Sequence, residues 1–135
     1  MLKCKKIQIY LFMPRILIVE DEKILAEMYK DKFEEANYQA DLAFSSEQAL
    51  DYLKKEKPDL ILLDILLPKE NGICFLKRLK EIEEVSKIPV VALSNYDEPR
   101  TKKEAFELGV KAYLIKTQYT PRELLNEIEK FLKER

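Results

Sequence analysis

The stretch Asp59-Leu60-Ile61-Leu62-Leu63-Asp64-Ile65-Leu66-Leu67-Pro68-Lys69-Glu70-Asn71-Gly72 decides the fold. Leu60 to Leu63 are consecutive apolar residues that stop on an acid, and turn signals follow at Pro68 and Asn71-Gly72. This is the pattern of a buried strand. Asp64 is thereby placed at the carboxyl end of that strand. In an open parallel sheet this end is where ligands bind, because the strand-to-helix loops converge there on a crevice lined by helix N-termini. An Asp after a strand also serves as a helix cap or loop residue, so the other strand ends must decide between the two readings.

Working outward, Ile16 to Val19 forms a second continuous apolar run, closed by Glu20-Asp21-Glu22. Such runs suit strands covered on both faces. From Lys23 to Ala36, Ile24, Leu25, Met28, Tyr29, Phe33 and Ala36 recur at helical spacing. Tyr38, Ala40 and Leu42 alternate with Gln39 and Asp41, which predicts a half-exposed edge strand. Ser45 with Gln48 makes a capping-box pattern ahead of Ala49, Leu50 and Leu53, and Pro58 stops that segment. Beyond the central strand, the spacing predicts a helix from about Ile73 to Val85 with Phe75, Leu76, Leu79 and Ile82 facing inward. Val90 to Leu93 is a fourth apolar run, ending on Ser94. A weakly amphipathic helix follows between Pro99 and a left-handed cap at Gly109. Ala112 to Ile115 is the fifth strand and ends on Lys116. Thr120-Pro121-Arg122-Glu123 opens a last helix with Leu124, Leu125, Ile128, Phe131 and Leu132 in its stripe. Five strands alternating with five helices predict an α/β domain: a doubly wound, five-stranded parallel sheet whose natural small solution is the order 2-1-3-4-5, as in flavodoxin-like folds.

The composition excludes several classes. A chain of 135 residues suits a single domain, and its formal charge of -1 speaks against nucleic acid as the main ligand. No apolar run approaches the ~18 residues of a membrane span. Cys4 and Cys74 lack metal or redox spacing and read as reduced thiols, consistent with a cytoplasmic protein. The chain has no histidine, so the chemistry must use carboxylates, hydroxyls and amines. Residues 1–13 are expected to be an N-terminal extension, with Met13-Pro14-Arg15 as a plausible true start, and residues 14–135 the domain. The ending after an amphipathic helix favours a whole domain over a fragment.

The strand ends carry Glu20-Asp21, Asp64, Ser94 and Lys116, and a parallel sheet would gather them around one crevice. Two carboxylates ~4 Å apart repel by about 4 kcal/mol at an effective dielectric of roughly 20, so they need a cation or a proton. All-oxygen ligands favour a hard cation, and magnesium fits best. Lys116 and Ser94 remain to hold the other oxygens of an anion on Asp64. That is equipment for phosphoryl transfer to a carboxylate.

On these residues the sequence resembles the receiver domains of two-component response regulators, the family that includes the chemotaxis regulators, over residues 15–133. The resemblance rests on Glu20 and Asp21 as the acidic pair, Asp64 with Pro68 and Gly72 at the family's offsets, Ser94, Tyr113 and Lys116. It implies that Asp21, Asp64 and the backbone carbonyl of Leu66 bind magnesium, with Glu20 acting through water. It also implies that Asp64 accepts a phosphoryl group from a histidine kinase or phosphotransfer protein, that Lys116 and Ser94 hold it, and that Tyr113 turns inward as the switch aromatic. Tyr113 is equally well explained by core packing. The implied output is contact with a downstream protein, by a monomer or a phosphorylation-dependent dimer, without direct nucleic-acid or membrane binding and without turnover of an external metabolite. Two departures stand out: Thr117 where the family usually has Pro, and Asn95-Tyr96 where small residues are usual. Leu66 and Tyr96 are expected to shield the phosphoryl group from water. A phosphorylation-independent scaffold is the alternative. A phosphohydrolase would want a second acid soon after Asp64, where Ile65, Leu66 and Leu67 stand.

Overall fold

Strand β1 (Arg15–Val19) lies inside the sheet, with β2 (Gln39–Ala43) on one side and β3 (Leu60–Asp64) on the other. β4 (Val90–Ser94) pairs with β3, and β5 (Ala112–Ile115) closes the far edge. All four ladders are parallel and the order is 2-1-3-4-5, as expected. The computed structural model describes residues 13–67, 69–95 and 97–132. Residues 1–12, Pro68 and Tyr96, which entered the expectations above, lie outside them.

Alternate residues of the inner strands serve opposite faces. Leu17, Val19, Ile61 and Leu63 pack with Ala49, Leu50 and Leu53 of α2 (Ser46–Lys55), with Phe75, Leu76 and Leu79 of α3 (Gly72–Glu81), and with Ala105 of α4 (Pro99–Glu107). Ile16, Ile18, Leu60, Leu62, Val91 and Leu93 pack with Tyr29 and Phe33 of α1 (Lys23–Glu35) and with Leu124, Leu125, Ile128 and Leu132 of α5 (Pro121–Leu132). Each fully buried Leu, Ile or Phe contributes about 1.5–3 kcal/mol of apolar burial, so this two-sided core fixes the sheet and with it the strand ends.

Side-chain caps set where α2 and α5 begin. Ser45 Oγ accepts from Gln48 N–H at 3.2 Å, and Thr120 with Glu123 forms a reciprocal box at 3.1 and 2.9 Å. Gly109, at φ +94°, takes the left-handed position after α4, and Asn37, at φ 70°, does the same after α1. Two expectations are corrected. α3 ends at Glu81 rather than near Val85; Ile82 is its C-cap, 37% exposed, and Val85 reaches the core from a turn. Glu81, Glu83 and Glu84 cluster where the helix macrodipole disfavours negative charge. Ile24 and Met28, two of the positions recurring at helical spacing in α1, are exposed; Ala26, Tyr29 and Phe33 carry its buried face.

Candidate functional site

The parallel ladders bring the ends of β1, β3, β4 and β5 to one rim. Glu20 continues β1, its N–H donating to Ala43 carbonyl at 3.0 Å, and its side chain is wholly buried. Asp64 and Ser94 are the last residues of β3 and β4 and are also buried. Lys116 follows β5 directly, at the start of a 3-10 turn, Lys116–Gln118. Its ammonium donates to Glu20 Oε1 at 2.7 Å and to Asp64 Oδ2 at 3.0 Å. The second oxygen of each acid is held by backbone: Leu66 N–H donates to Asp64 Oδ1 at 3.0 Å, and Glu22 N–H donates to Glu20 Oε2 at 3.3 Å.

Asp21 is exposed, yet one of its carboxylate oxygens lies with one from Glu20 and one from Asp64 in a set whose members are all within 4.8 Å of one another. Burial pushes the Glu20 carboxyl up to about 7, against the pull of its hydrogen bond from Lys116. Burial likewise raises Asp64, against Lys116 and the Leu66 N–H. Burial alone would lower Lys116, but the hydrogen bond to Glu20 and the charge of Asp64 outweigh it and the ammonium is raised. One cation thus bridges two buried acids, with the Asp21 carboxylate alongside them, and their negative charge is incompletely offset. An all-oxygen cluster of this kind suits a hard divalent cation, and the fit is in the donor set itself.

The turn after β3 depends on one glycine. Gly72 N–H donates to Ile65 carbonyl at 2.7 Å, and a Cβ on Gly72 would sit 2.8 Å from Ile65 Cα and 3.0 Å from Asp64 carbonyl oxygen. Only a residue without a side chain lets α3 start this close to the acid. Asn71 then caps α3, accepting from Cys74 N–H at 3.0 Å.

Each sequence-derived site residue within the described regions is at this rim or just beneath it, with differences in detail. Leu66 touches Asp64 through its N–H and is itself 49% exposed. Tyr113 was read either as a switch aromatic that turns inward on activation or as core packing; it is inward in this structure, 7% exposed, in β5 beside Ala92. Its hydroxyl is buried without a hydrogen-bond partner. No cis peptide occurs among the described residues, and Thr117 lies within the 3-10 turn. Sequence reasoning missed the contacts of Ser46, Glu70 and Arg78 beside the site. Ser46 and Glu70 are 24 residues apart, so no local spacing could have announced them.

A family model described as the response regulator receiver domain matches residues 16–129. The transcriptional regulatory protein BaeR of Escherichia coli O6:H1 is 36% identical over 120 residues, covering 89% of this chain and 48% of BaeR. The chain spans about half the length of several of the curated relatives it matches. The polar-differentiation response regulator DivK of Brucella ovis is 34% identical over 107 residues, covering 79% of this chain and 87% of DivK. The crystal structure of a CheY-like response regulator receiver domain protein from Methanospirillum hungatei JF-1 superposes with a TM-score of 0.83 at 26% identity, covering 90% of this chain and 95% of that one.

Proposed function

This chain belongs to the response regulator receiver domain family of two-component signalling, and on that premise we propose that Asp64 accepts a phosphoryl group from a phosphohistidine of a partner kinase. One observation carries the reading. Lys116 holds Asp64 and Glu20 together at 3.0 and 2.7 Å, with Asp21 alongside, although the three acids and the lysine come from three separate strand ends. A buried cluster of acids around one lysine at the ligand-binding edge of a parallel sheet is best explained by chemistry.

In the proposed step a carboxylate oxygen of Asp64 bonds to phosphorus as the phosphorus–nitrogen bond to the donor imidazole breaks. Glu20, Asp21, Asp64 and the Leu66 carbonyl are the groups that would hold magnesium, whose charge neutralises phosphoryl oxygens in such transfers. The Leu66 N–H orients Asp64 from the side away from Lys116, so that one carboxylate oxygen keeps a fixed direction. The Lys116 ammonium, already within hydrogen-bond distance of Asp64, can pass to a phosphoryl oxygen, and the Ser94 hydroxyl, buried on the adjacent strand, can donate to another. The group adds roughly -1.5 to -2 charges. Inverting a two-state equilibrium from 1:99 to 99:1 takes about 5.5 kcal/mol of differential stabilisation, within reach of several charge-assisted bonds. Because Tyr113 is already inward, the change starts at Lys116 and Ser94, and Tyr113 gains by finding a partner for its hydroxyl. Output is a changed protein contact, set by how the phosphoryl group redistributes the contacts of Lys116 and Ser94.

The test is incubation with a small-molecule phosphoryl donor and magnesium, read by intact mass. Wild type gains one base-labile phosphoryl adduct and Asp64→Asn gains none. An adduct of equal yield on Asp64→Asn, or none on wild type, overturns the reading in favour of a phosphorylation-independent scaffold.

A further inference from the structure

Among the described residues four polar or charged side chains are buried: Glu20, Asp64 and Ser94 at the acidic rim, and Ser46. Ser46 stands at the first turn of α2, outside that cluster. Its Oγ donates to Glu70 Oε2 at 3.0 Å, and the Arg78 guanidinium on α3 donates to the same oxygen at 2.6 Å. Glu70 itself is largely covered, with 21% of its side chain exposed. One carboxylate therefore ties α2, the segment after β3 and α3 together. The Arg arm is charge-assisted, and the Ser arm would leave a buried hydroxyl orphaned if it were lost.

The segment so tied is the one that serves Asp64. It leaves β3 at Ile65, whose N–H donates to Leu93 carbonyl at 2.9 Å, and rejoins the fold at Gly72. Between them Leu66 is half exposed and touches Asp64 through its N–H; Leu67 is buried and Lys69 is exposed. Glu70 is the residue of this stretch whose side chain bonds to two other elements.

We propose that Glu70 is a positioning residue: held by Ser46 and Arg78, it fixes the segment after β3 so that the Leu66 N–H stays on Asp64 and the Leu66 carbonyl stays available to magnesium. The proposal rests on the function argued above for its use of magnesium and adds a residue to it. Glu70 touches neither the phosphoryl group nor the metal; it acts through the backbone of Leu66.

The experiment compares wild type, Glu70→Ala and Glu70→Gln, the last keeping an acceptor for both donors. Magnesium affinity is measured by titration calorimetry, and amide hydrogen exchange of Leu66, Leu67, Lys69 and Glu70 is followed in chelator. Glu70→Ala is expected to weaken magnesium about tenfold, the lower end for groups that orient a metal's ligands, and to speed exchange of those amides while β1 and β3 exchange as before. Glu70→Gln is expected to recover most of both. Unchanged affinity overturns the proposal whether or not exchange speeds up, since faster exchange alone marks a merely structural tie. If Glu70→Ala loses affinity but wild type takes no phosphoryl group, the proposed function fails and the positioning role stands. If wild type binds no magnesium at all, both fall.

Discussion

Each end of the sheet is closed by one cation among carboxylates, and the two clusters differ in their access to water. At the carboxyl end Lys116, with 8% of its side chain exposed, lies between Glu20 and Asp64 at 0% and 3%. At the amino end Arg15, 27% exposed, reaches Asp41 and Glu56 at 44% and 49%, and donates to Gln39 at 2.8 Å. The Arg15 backbone adds a bond from its N–H to Asp59 at 2.7 Å. Solvated ions cost little to assemble, so the amino-end cluster can fasten the starts of β1, β2 and β3 without storing anything. Buried ions cannot be satisfied by one lysine, and the acids at the carboxyl end are pushed toward binding protons. The same components give a fastener where water reaches and a poised reactive centre where it does not.

Removing each cation in turn is the sharpest way to break that comparison. Lys116→Met leaves two buried acids without their partner and is expected to cost about 3–5 kcal/mol in urea unfolding at pH 8 in chelator, with a smaller loss at pH 5. A cost under about 1 kcal/mol would place the two clusters in the same class.

Next in size is the pH dependence. Below the ordinary Glu value of 4.5, folded and unfolded chains both hold the Glu20 proton, and its contribution is fully present. Between 4.5 and about 7 the unfolded chain releases that proton first, so stability falls as pH rises, and above about 7 the loss is complete. In chelator the fall attributable to Glu20 is bounded at about 3 kcal/mol; Glu20→Gln flattens it, and magnesium restores stability at the alkaline end. Thermal melts across pH for both proteins decide this. A third change tests the close approach at the same end: Gly72→Ala puts a methyl into the backbone of Ile65 and Asp64 and is expected to cost about 1–3 kcal/mol by denaturant unfolding. The smallest effect belongs to the amino end, where Arg15→Met is expected to cost about 1 kcal/mol or less and to leave phosphoryl acceptance by intact mass unchanged.

The sequence made the sheet legible because the inner strands are buried on both faces and read as unbroken apolar runs, Ile16–Val19, Leu60–Leu63 and Val90–Leu93. The gathering of Glu20, Asp64 and Lys116 followed from that, since parallel strands ending on these residues must share a rim. Where periodicity was ambiguous the reading drifted: Leu79, Ile82 and Val85 keep a three-residue spacing through the end of α3 into a turn. α4 buries only Ala105 and was found by its Pro and Gly boundaries rather than by its face. Core packing was one of two readings open for Tyr113, and the Ser46–Glu70–Arg78 tie was illegible because long-range pairing depends on packing that no local pattern encodes.

Every ladder in this sheet joins stretches separated by an entire helix, and β1 must find β3 some 44 residues further along. No hairpin can zip first, so the chain must close large loops before any strand pair repays the lost entropy, and folding is expected to be slow for its size. On the ribosome β1 and β2 emerge well before β3, leaving the inner edge of β1 unpaired. During that interval an apolar strand edge is open to neighbours, which makes the speed of synthesis past Asp64 a determinant of yield.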